Sequence, residues 1–207
     1  MKKFRFLIAS GPTREPIDPV RFISNYSTGV MGKCLNEAAK KRGHRVTWVQ
    51  SPQDAETALE LKDKLSSLLP THDALIMASA VADVRPAGYS RAKIKKDKLY
   101  RLRLVKNPDI LAVLSKRKKK NQVFVGFALE TREPFKNALM KIKKKKLEAI
   151  VLQRVTENKK PFGDQPIGAT VLEDKKHFTD FKSISKRKLA DFLVHKTEQF
   201  LLSKTRD

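Results

Sequence analysis

Short runs rich in apolar and β-branched residues recur along the chain, and they predict buried β-strands. The clearest runs are residues 4–9, 45–50, 74–80, 122–127, 149–153 and 168–172. Residues 178–181 are a shorter candidate strand. Residues 99–105 alternate apolar with basic side chains, which favours an edge strand.

The segments between these runs repeat apolar residues every three or four positions, a spacing that predicts helices. Helices are predicted over residues 31–41, 54–68, 108–114 and 132–146, with a last one after Ser185. Gly43 ends the first helix, Asn107 is the expected N-cap of the third, and Ser185 caps the last. Proline and glycine mark residues 10–29 and 154–166 as loops.

Strands and helices therefore alternate from one end of the chain to the other. This alternation predicts an α/β fold: a Rossmann-like, mostly parallel sheet with helices on both faces. The 207 residues show neither an internal repeat nor a linker, so we expect one domain over residues 1–207. Ligands of such sheets lie outside the carboxyl ends of the strands. The segments after Ala9, Ala80 and Phe127 are therefore the expected places for chemistry.

The charge of the chain is strongly positive and unevenly placed. The formal net charge is +23, and residues 91–207 carry 32 basic and 13 acidic side chains, a net of +19. Residues 116–120 and 141–146 are dense basic runs, which attract anions such as nucleic acids or phosphates. A nucleic-acid module should also show stacking aromatics, but aromatics are 7% of the chain and none interleave with these runs. A solvated basic surface is the favoured interpretation.

Several classes of site and location are disfavoured by composition. Cys34 is the one cysteine, which argues against a disulfide framework and a cysteine-rich zinc site; we expect it to be buried filler. The four histidines are scattered without metal-ligand spacing. No apolar run approaches the roughly 20 residues of a membrane span, and the first ten residues lack the features of a signal peptide. We therefore expect a cytoplasmic protein with no membrane partner.

Small residues and hydroxyls follow the first predicted strand and precede the first predicted helix. Gly11-Pro12-Thr13-Arg14 and Ser27-Thr28-Gly29 would let backbone N–H groups approach an anion near the helix N-terminus. The pattern is neither GxGxxG nor a Walker P-loop, and an ordinary strand-to-helix loop is the alternative. Asn25 either favours a turn or donates a hydrogen bond to a carbonyl or oxyanion.

The third strand ends in small residues followed by a carboxylate. Ser79 and Ala80 would let a ligand lie on the backbone, and Asp83 would accept a hydrogen bond from it or hold a metal through water. A helix cap or surface ion pair is the alternative for Asp83. Ten residues later, Lys93-Ile94-Lys95-Lys96 is either a basic loop in solvent or a mobile loop that closes over a phosphate.

Together these pieces resemble one family, phosphopantothenoylcysteine synthetase (phosphopantothenate–cysteine ligase). The matching motifs lie at residues 11–25, 27–29, 80–83, 93–96, 106–111 and 125–131, in the family's order and at similar spacing. The resemblance implies an enzyme of coenzyme A biosynthesis that activates 4′-phosphopantothenate with CTP and Mg²⁺ as an acyl-cytidylate. Cysteine then forms the amide, and CMP and pyrophosphate are released. It also implies a homodimer, and a stand-alone ligase without the decarboxylase half found in many bacterial members.

The resemblance assigns roles residue by residue. Asn25 matches the asparagine that contacts the acyl-cytidylate carbonyl, and Arg21 matches an arginine linked to the second half-reaction. Ala80 matches a small position beside the intermediate, and Lys93 matches a flap lysine over the triphosphate. The remaining matches, for nucleotide or substrate binding, are Gly11, Ser27, Thr28, Ser79, Asp83, Asn107, Pro108, Asp109, Ile110, Phe127, Lys141 and Lys145.

The chain also departs from the family pattern. Val30 stands where the family often has lysine, Val84 where an aromatic is frequent, and Gln153-Arg154 where an Asn-Asp pair is common. These departures motivate a second hypothesis, a catalytically weakened nucleotide-binding homologue. A nucleic-acid-binding protein that uses the basic second half is a third. The preference for CTP over ATP is open, because some members outside bacteria prefer ATP.

Overall fold

The apolar runs form one central sheet. The computed structural model describes residues 2–130, 132–154 and 162–205, apart from the side chain of Arg154. Its strands are β1 (Arg5–Pro12), β2 (Arg14–Asp18), β3 (Arg21–Ser24), β4 (Arg45–Gln50), β5 (Ala74–Ala80), β6 (Val84–Pro86), β7 (Leu104–Lys106), β8 (Val123–Glu130), β9 (Ala149–Arg154), β10 (Ile167–Leu172) and β11 (Phe178–Ile184). The sheet has seven strands in the order β11-β10-β9-β8-β5-β1-β4. Strands β4, β1, β5, β8 and β9 are parallel, and β10 and β11 are antiparallel to their neighbours. The predicted mostly parallel α/β sheet is confirmed.

Helices cover both faces of this sheet. They are α1 (Val30–Lys41), α2 (Ala58–Leu68), α3 (Ile110–Ser115), α4 (Pro134–Lys145) and α5 (Lys186–Ser203). Successive side chains of β1 point to opposite faces, so Phe6 and Ile8 pack in the core beneath α1 and α5. Leu7 and Ala9 pack in a second core beneath α2, α3 and α4. The two cores hold the strand ends in fixed positions.

Most predicted elements are confirmed, with small changes at their ends. The strand predicted over residues 74–80 is β5 itself, and Ser185 caps α5 by accepting a hydrogen bond from the Lys188 N–H (3.3 Å). The second helix begins at Ala58 rather than at residue 54, because Thr57 and Glu60 form a capping box there.

The prediction of a loop over residues 10–29 holds for residues 25–29 but was wrong for most of residues 10–24. Strand β1 continues to Pro12, and β2 and β3 form an antiparallel hairpin. The prolines of this segment suggested a loop. Pro16 is nevertheless tolerated in β2, because both strands of a two-stranded hairpin are edge strands. A long-range contact holds the hairpin to the body of the protein: Glu15 Oε1 accepts a hydrogen bond from the Ala58 N–H (2.9 Å). Within the hairpin, the Arg14 guanidinium lies 4.7 Å from the ring centroid of Phe22.

Two further predictions were also wrong. Of the edge strand predicted over residues 99–105, only Leu104 and Val105 belong to a strand, β7, which pairs with β6 in a separate two-stranded sheet. The N-cap of α3 is Asp109, which accepts a hydrogen bond from the Ala112 N–H (3.1 Å), and the helix begins at Ile110. Asn107 does not cap it, because its side-chain amide donates to the Ala82 carbonyl (2.8 Å) instead.

Two glycines bring the start of α1 against the carboxyl end of β1. A Cβ on Gly32 would lie 2.0 Å from Cβ of Ser10, and one on Gly11 would lie 2.0 Å from the Ser51 carbonyl oxygen. Gly11 also has φ of +82°, which favours glycine. Larger side chains would therefore push α1 and the β4–α2 loop away from the strand ends where ligands are expected.

Cys34 is buried in α1, as predicted, and burial raises the pKa of its thiol. In the described residues, no helix is both long and apolar enough to span a membrane. Thr131, from the last family motif, and residues 155–161 of the loop predicted over 154–166 lie outside the described residues.

Candidate functional site

Two adjoining cavities lie outside the carboxyl ends of β5 and β8, beside the first turn of α1. Their volumes are about 500 Å³ and 250 Å³. The chain passes from β1 outwards to β4 and then returns to β5 on the other side of β1, so the strand order reverses between β1 and β5. Ligands of open α/β sheets bind at such a reversal. The cavities therefore lie where the sequence predicted chemistry.

The larger cavity lies between the loop that precedes α1 and the ends of β5, β8 and β9. It is lined by Asn25, Tyr26, Ser27, Thr28, Gly29, Val30, Met31, Ala78, Ser79, Ala80, Val81, Asp83, Phe127, Ala128, Leu129, Lys141, Gln153, Phe162 and Lys186. The smaller cavity lies beside α3 and is lined by Met77, Ser79, Val81, Ala82, Asp83, Asn107, Pro108, Asp109, Ile110, Leu111, Phe127 and Lys145.

The two cavities share a wall made by Ser79, Val81, Asp83 and Phe127. The Ser79 hydroxyl is buried in this wall, and among the described residues it has no hydrogen-bond partner. A buried polar group without a partner is costly, so this hydroxyl is suited to a ligand that reaches it from either cavity. Groups bound on the two sides would meet at this wall.

Most of the predicted site residues are brought together here. Those that line one or both cavities are Asn25, Ser27, Thr28, Ser79, Ala80, Asp83, Asn107, Pro108, Asp109, Ile110, Phe127, Lys141 and Lys145. Gly11, Arg21 and Lys93 line neither cavity. Arg21 donates to Asp18 and to the Ile94 carbonyl, and Lys93 is exposed. The roles of all these residues stay predictions.

Asn25 is fixed by one of its amide hydrogens. It follows β3 directly, and its Nδ2 donates to the Val81 carbonyl at 2.9 Å. Val81 lies just after β5, so this bond joins the loop before α1 to the strand end at the shared wall. An amide nitrogen carries two hydrogens, and Asn25 can therefore hold Val81 and still donate to a ligand.

Two lysines of α4, whose i, i+4 spacing puts them on one face of the helix, line the cavities. Lys141 Nζ donates to Glu130 Oε1 at 2.5 Å, and Lys145 Nζ lies 3.0 Å from Asp109 Oδ2. The carboxylate of Glu130, the last residue of β8, thus positions Lys141, and that of Asp109, the N-cap of α3, positions Lys145. A bound polyphosphate would compete with these carboxylates for the lysines.

Asn107 joins the two loops that flank the smaller cavity. Its Nδ2 donates to the Ala82 carbonyl, its backbone N–H donates to the Asp83 carbonyl (2.8 Å), and its Oδ1 accepts from Arg85 (3.0 Å). These bonds hold the chain around Asp83 against the loop before α3. The geometry gives Asn107 a positioning role in the cavity wall.

The cavity residues that were not among the predicted site residues include Tyr26, Phe162 and Lys186. The rings of Tyr26 and Phe162 lie 5.8 Å apart at the rim of the larger cavity. Lys186, in the first turn of α5, is buried and donates a hydrogen bond to the Gly163 carbonyl. Burial lowers the pKa of its ammonium. No local pattern marks Lys186, because only packing of α5 against α1 brings residue 186 beside the loop before α1.

The chain offers few ligands for a metal ion of its own. The part of the chain that the structure describes contains no group of three or more His, Cys, Asp or Glu side chains able to hold one. Asp83 is a carboxylate in the wall common to both cavities. Mg²⁺ is usually held by one or two carboxylates together with substrate phosphates, and Asp83 fits that arrangement.

A known protein family and individual known proteins match most of this chain. A family model described as "DNA/pantothenate metabolism flavoprotein C-terminal domain" matches residues 1–201. The chain is 39% identical, over 207 aligned positions, to a protein named cysteine/cysteine sulfinic acid decarboxylase from an unknown prokaryotic organism, covering 93% of this chain and 57% of that protein. It is 38% identical over 165 positions to the coenzyme A biosynthesis bifunctional protein CoaBC of Borreliella burgdorferi, covering 73% of this chain and 42% of that protein. The chain thus spans about half the length of these relatives.

The fold has a close structural counterpart. The crystal structure of the C-terminal domain of a coenzyme A biosynthesis bifunctional protein CoaBC superposes with a TM-score of 0.78 at 27% identity. The match covers 98% of each chain. The overall architecture is therefore shared with that domain.

Proposed function

Because the chain belongs to the family of DNA/pantothenate metabolism flavoprotein C-terminal domains, we propose that it acts as a phosphopantothenate–cysteine ligase. CTP activates the carboxylate of 4′-phosphopantothenate, and the amine of cysteine then forms the amide. The main support is one observation: Asn25, Asp83, Phe127 and Lys141, which are far apart in the sequence, surround two cavities that meet at a common wall.

The two cavities suit the two substrates of the first half-reaction. CTP occupies the smaller cavity, beside Asn107, Asp109 and Lys145, with its α-phosphate at the shared wall. The acid occupies the larger one, beside Asn25 and Lys186. A carboxylate oxygen attacks the α-phosphorus, the bond to the β-phosphate oxygen breaks, and pyrophosphate leaves. Binding CTP and the acid with the attacking oxygen aligned to the α-phosphorus removes the need for two anions to meet by chance in solution. The lysines offset the negative charge of the two substrates.

The second half-reaction takes place in the larger cavity. The amine of cysteine attacks the acyl carbon, the bond to CMP breaks, and the nitrogen loses a proton. Negative charge develops on the former carbonyl oxygen during this attack, and a fixed hydrogen-bond donor lowers its energy. Asn25, held by Val81, is the donor that we assign to this oxygen.

Mg²⁺, when bound with the triphosphate, supplies positive charge at the phosphate oxygens. Asp83 would hold it, since this carboxylate lies where the two cavities meet. The amino-acid side chains position the substrates, and the lysines of α4 keep the phosphates beside the wall.

The relative named as a decarboxylase shares cysteine as a substrate with the proposed ligase. A ligase needs a nucleotide site as well, and the smaller cavity with Asn107, Asp109 and Lys145 supports one. Part of the basic charge is also engaged inside the protein: Lys118 pairs with Glu148 at 2.6 Å, and Lys145 pairs with Asp109. These contacts favour the ligase over the nucleic-acid hypothesis.

The ligase proposal is tested by pyrophosphate release from CTP, 4′-phosphopantothenate and cysteine with Mg²⁺. We expect release that depends on 4′-phosphopantothenate, and the mass of the amide product when cysteine is present. A parallel series with ATP measures the nucleotide preference, and one with cysteine alone measures release of CO₂. CTP binding without turnover would support the weakened homologue, and release of CO₂ alone would support a decarboxylase; either result rejects the ligase.

Lys186→Met is expected to raise the KM for 4′-phosphopantothenate about 10- to 100-fold, because a hydrogen bond to a charged group contributes about 1.5 to 3 kcal/mol. The wall of the larger cavity loses its buried ammonium, while CTP contacts in the smaller cavity remain. Steady-state kinetics with each substrate varied in turn measures the effect. Lys188→Met is the matched control, since Lys188 is exposed on the same helix. Equal KM values in the two variants would contradict a role for Lys186 in binding the acid.

A further inference from the structure

The segment that carries Lys93 is held at both ends by the β2–β3 hairpin. We name residues 90–94 the strap. At its start, the Ser90 N–H donates to the Ile17 carbonyl at 3.0 Å. At its end, the Ile94 N–H donates to Asp18 Oδ2 at 3.1 Å, and Arg21 Nη2 donates to the Ile94 carbonyl at 2.7 Å. Lys93 therefore lies directly beside a fixed point of the backbone.

Asp18 is the centre of this attachment. Its side chain is fully buried, and both oxygens are used. Oδ1 accepts from the backbone N–H groups of Val20 (2.9 Å) and Arg21 (3.0 Å), and Oδ2 accepts from Arg21 Nε (3.1 Å) as well as from Ile94. The hydrogen bond from the Arg21 side chain outweighs burial and holds the pKa of this carboxyl well below its usual range. Asp18 is thus an anion that ties the turn of the hairpin to the end of the strap.

The same hairpin also positions the residue assigned to the acyl carbonyl. Strand β3 ends at Ser24, whose hydroxyl donates to the Thr13 carbonyl at 2.7 Å, and Asn25 follows it. The hairpin is therefore fixed to the body of the protein beside the larger cavity. It carries Asn25 at one end and holds the base of the strap at the other.

We propose that Asp18 is a positioning residue of the ligase, and that it acts with Arg21 through Lys93 by fixing the strap to the hairpin that carries Asn25. This inference rests on the proposed function. Arg21, which the family resemblance links to catalysis, acts here by holding the backbone rather than by lining a cavity. If the strap were free, Lys93 would have to be ordered in every turnover before it could offset charge in the transition state.

Asp18→Asn is expected to lower kcat about 100-fold, the effect of a small misplacement of a charged group in a transition state. The asparagine amide is the same size as the carboxylate that it replaces. Its NH₂ group, however, takes the place of an oxygen that accepts hydrogen bonds from N–H groups. The KM for CTP should change little, because the cavity residues are untouched. Asp97→Asn is the matched control, since Asp97 is an exposed carboxylate just beyond the strap. A fall in kcat that is equally large in the control would overturn the proposal.

A double-mutant cycle with Lys93→Ala separates positioning from a merely structural role. If Asp18 acts through Lys93, Asp18→Asn lowers kcat no further in a protein that already carries Lys93→Ala. Losses that multiply would overturn the proposal, because Asp18 would then act elsewhere.

Hydrogen exchange tests the attachment itself, whether or not the protein is a ligase. In Asp18→Asn, peptides that span residues 90–94 should exchange at least 10-fold faster, while peptides of β1 keep their protection. Unchanged exchange in the strap would reject the attachment even in an active ligase. Faster exchange in a protein with no ligase activity would reject the proposed function alone.

Discussion

Asn25→Asp is expected to slow amide formation at least about 100-fold and to leave acyl-cytidylate accumulated on the protein. A carboxylate replaces the amide that donates to Val81 and that we propose as the donor to the acyl oxygen. It would repel both the Val81 carbonyl and the negative charge that develops when cysteine attacks. The first half-reaction places charge on phosphate oxygens instead, so we expect a smaller loss there.

Single-turnover experiments distinguish the two steps. Pyrophosphate release measures formation of the acyl-cytidylate, and CMP release after addition of cysteine measures its breakdown. Asn121→Asp is the matched control, because Asn121 lies exposed in a turn at the opposite, amino-terminal end of β8. Equal losses in the two steps would count against Asn25 as the donor to the acyl oxygen.

Glu198→Ala is expected to produce the largest loss of stability, a fall of about 3 kcal/mol in the free energy of unfolding. Glu198 is buried in α5, where Oε2 accepts from Arg42 Nε at 2.9 Å and Oε1 accepts from His44 Nε2 at 2.6 Å. His44 Nδ1 accepts from the Phe4 N–H (3.3 Å), which places the imidazole proton on Nε2. Removing the carboxylate leaves Arg42 and His44 without their buried partner. The network joins α5 to the end of α1 and the start of β1.

Thermal unfolding measures this loss, and a shift in Tm of about 10 °C is expected for a domain of this size. Glu37→Ala is the matched control, because Glu37 forms only an exposed pair with Lys33 at 4.0 Å. That substitution should shift Tm by about 1 °C or less. The network is remote from the cavities, so activity per folded molecule should be unchanged in both variants. Equal Tm shifts would show that the Glu198 network contributes no more than a surface pair.

The same network predicts a dependence on acid. Burial alone would raise the pKa of Glu198, but hydrogen bonds from Arg42 and His44 outweigh it and hold this pKa below its ordinary value. The stabilisation is therefore complete above the ordinary carboxyl pKa and is lost as the pH falls through the lowered value. In Glu198→Ala, unfolding should depend less steeply on pH across this acidic range. A slope equal to that of the unmodified protein would show that other carboxylates dominate acid unfolding.

Much of the fold was predictable because its signal is local. Parallel strands covered on both faces need nearly continuous apolar residues, and β5 has them at every position except Ser79. The β2–β3 and β6–β7 pairs were missed because they are short, polar or rich in proline, and their stability comes from distant partners. Glu15 bonding to Ala58 is one such partner.

The site was predictable in part for a similar reason. The family resemblance indicated which residues belong to the site. The rule that ligands bind outside the carboxyl ends of parallel strands indicated where in the fold those residues lie. Arg21 lines neither cavity because its guanidinium donates to Asp18 and to the Ile94 carbonyl. Lys93 lies on the strap, whose last N–H, that of Ile94, donates to Asp18. Lys186 was missed because the loop before α1, with which it lines the larger cavity, is separated from it by most of the chain.

By itself, the sequence determined the strands of the central sheet, the helices, the excess of positive charge and the family motifs. All of these depend on residue type and on spacing over a few positions, which the linear order already contains. Only the tertiary structure decided which motif residues share a cavity and that Lys186 joins them. It also decided that Asp18 holds the strap at Ile94. Those outcomes depend on contacts between residues distant along the chain, and such contacts form only when both apolar cores close around the sheet.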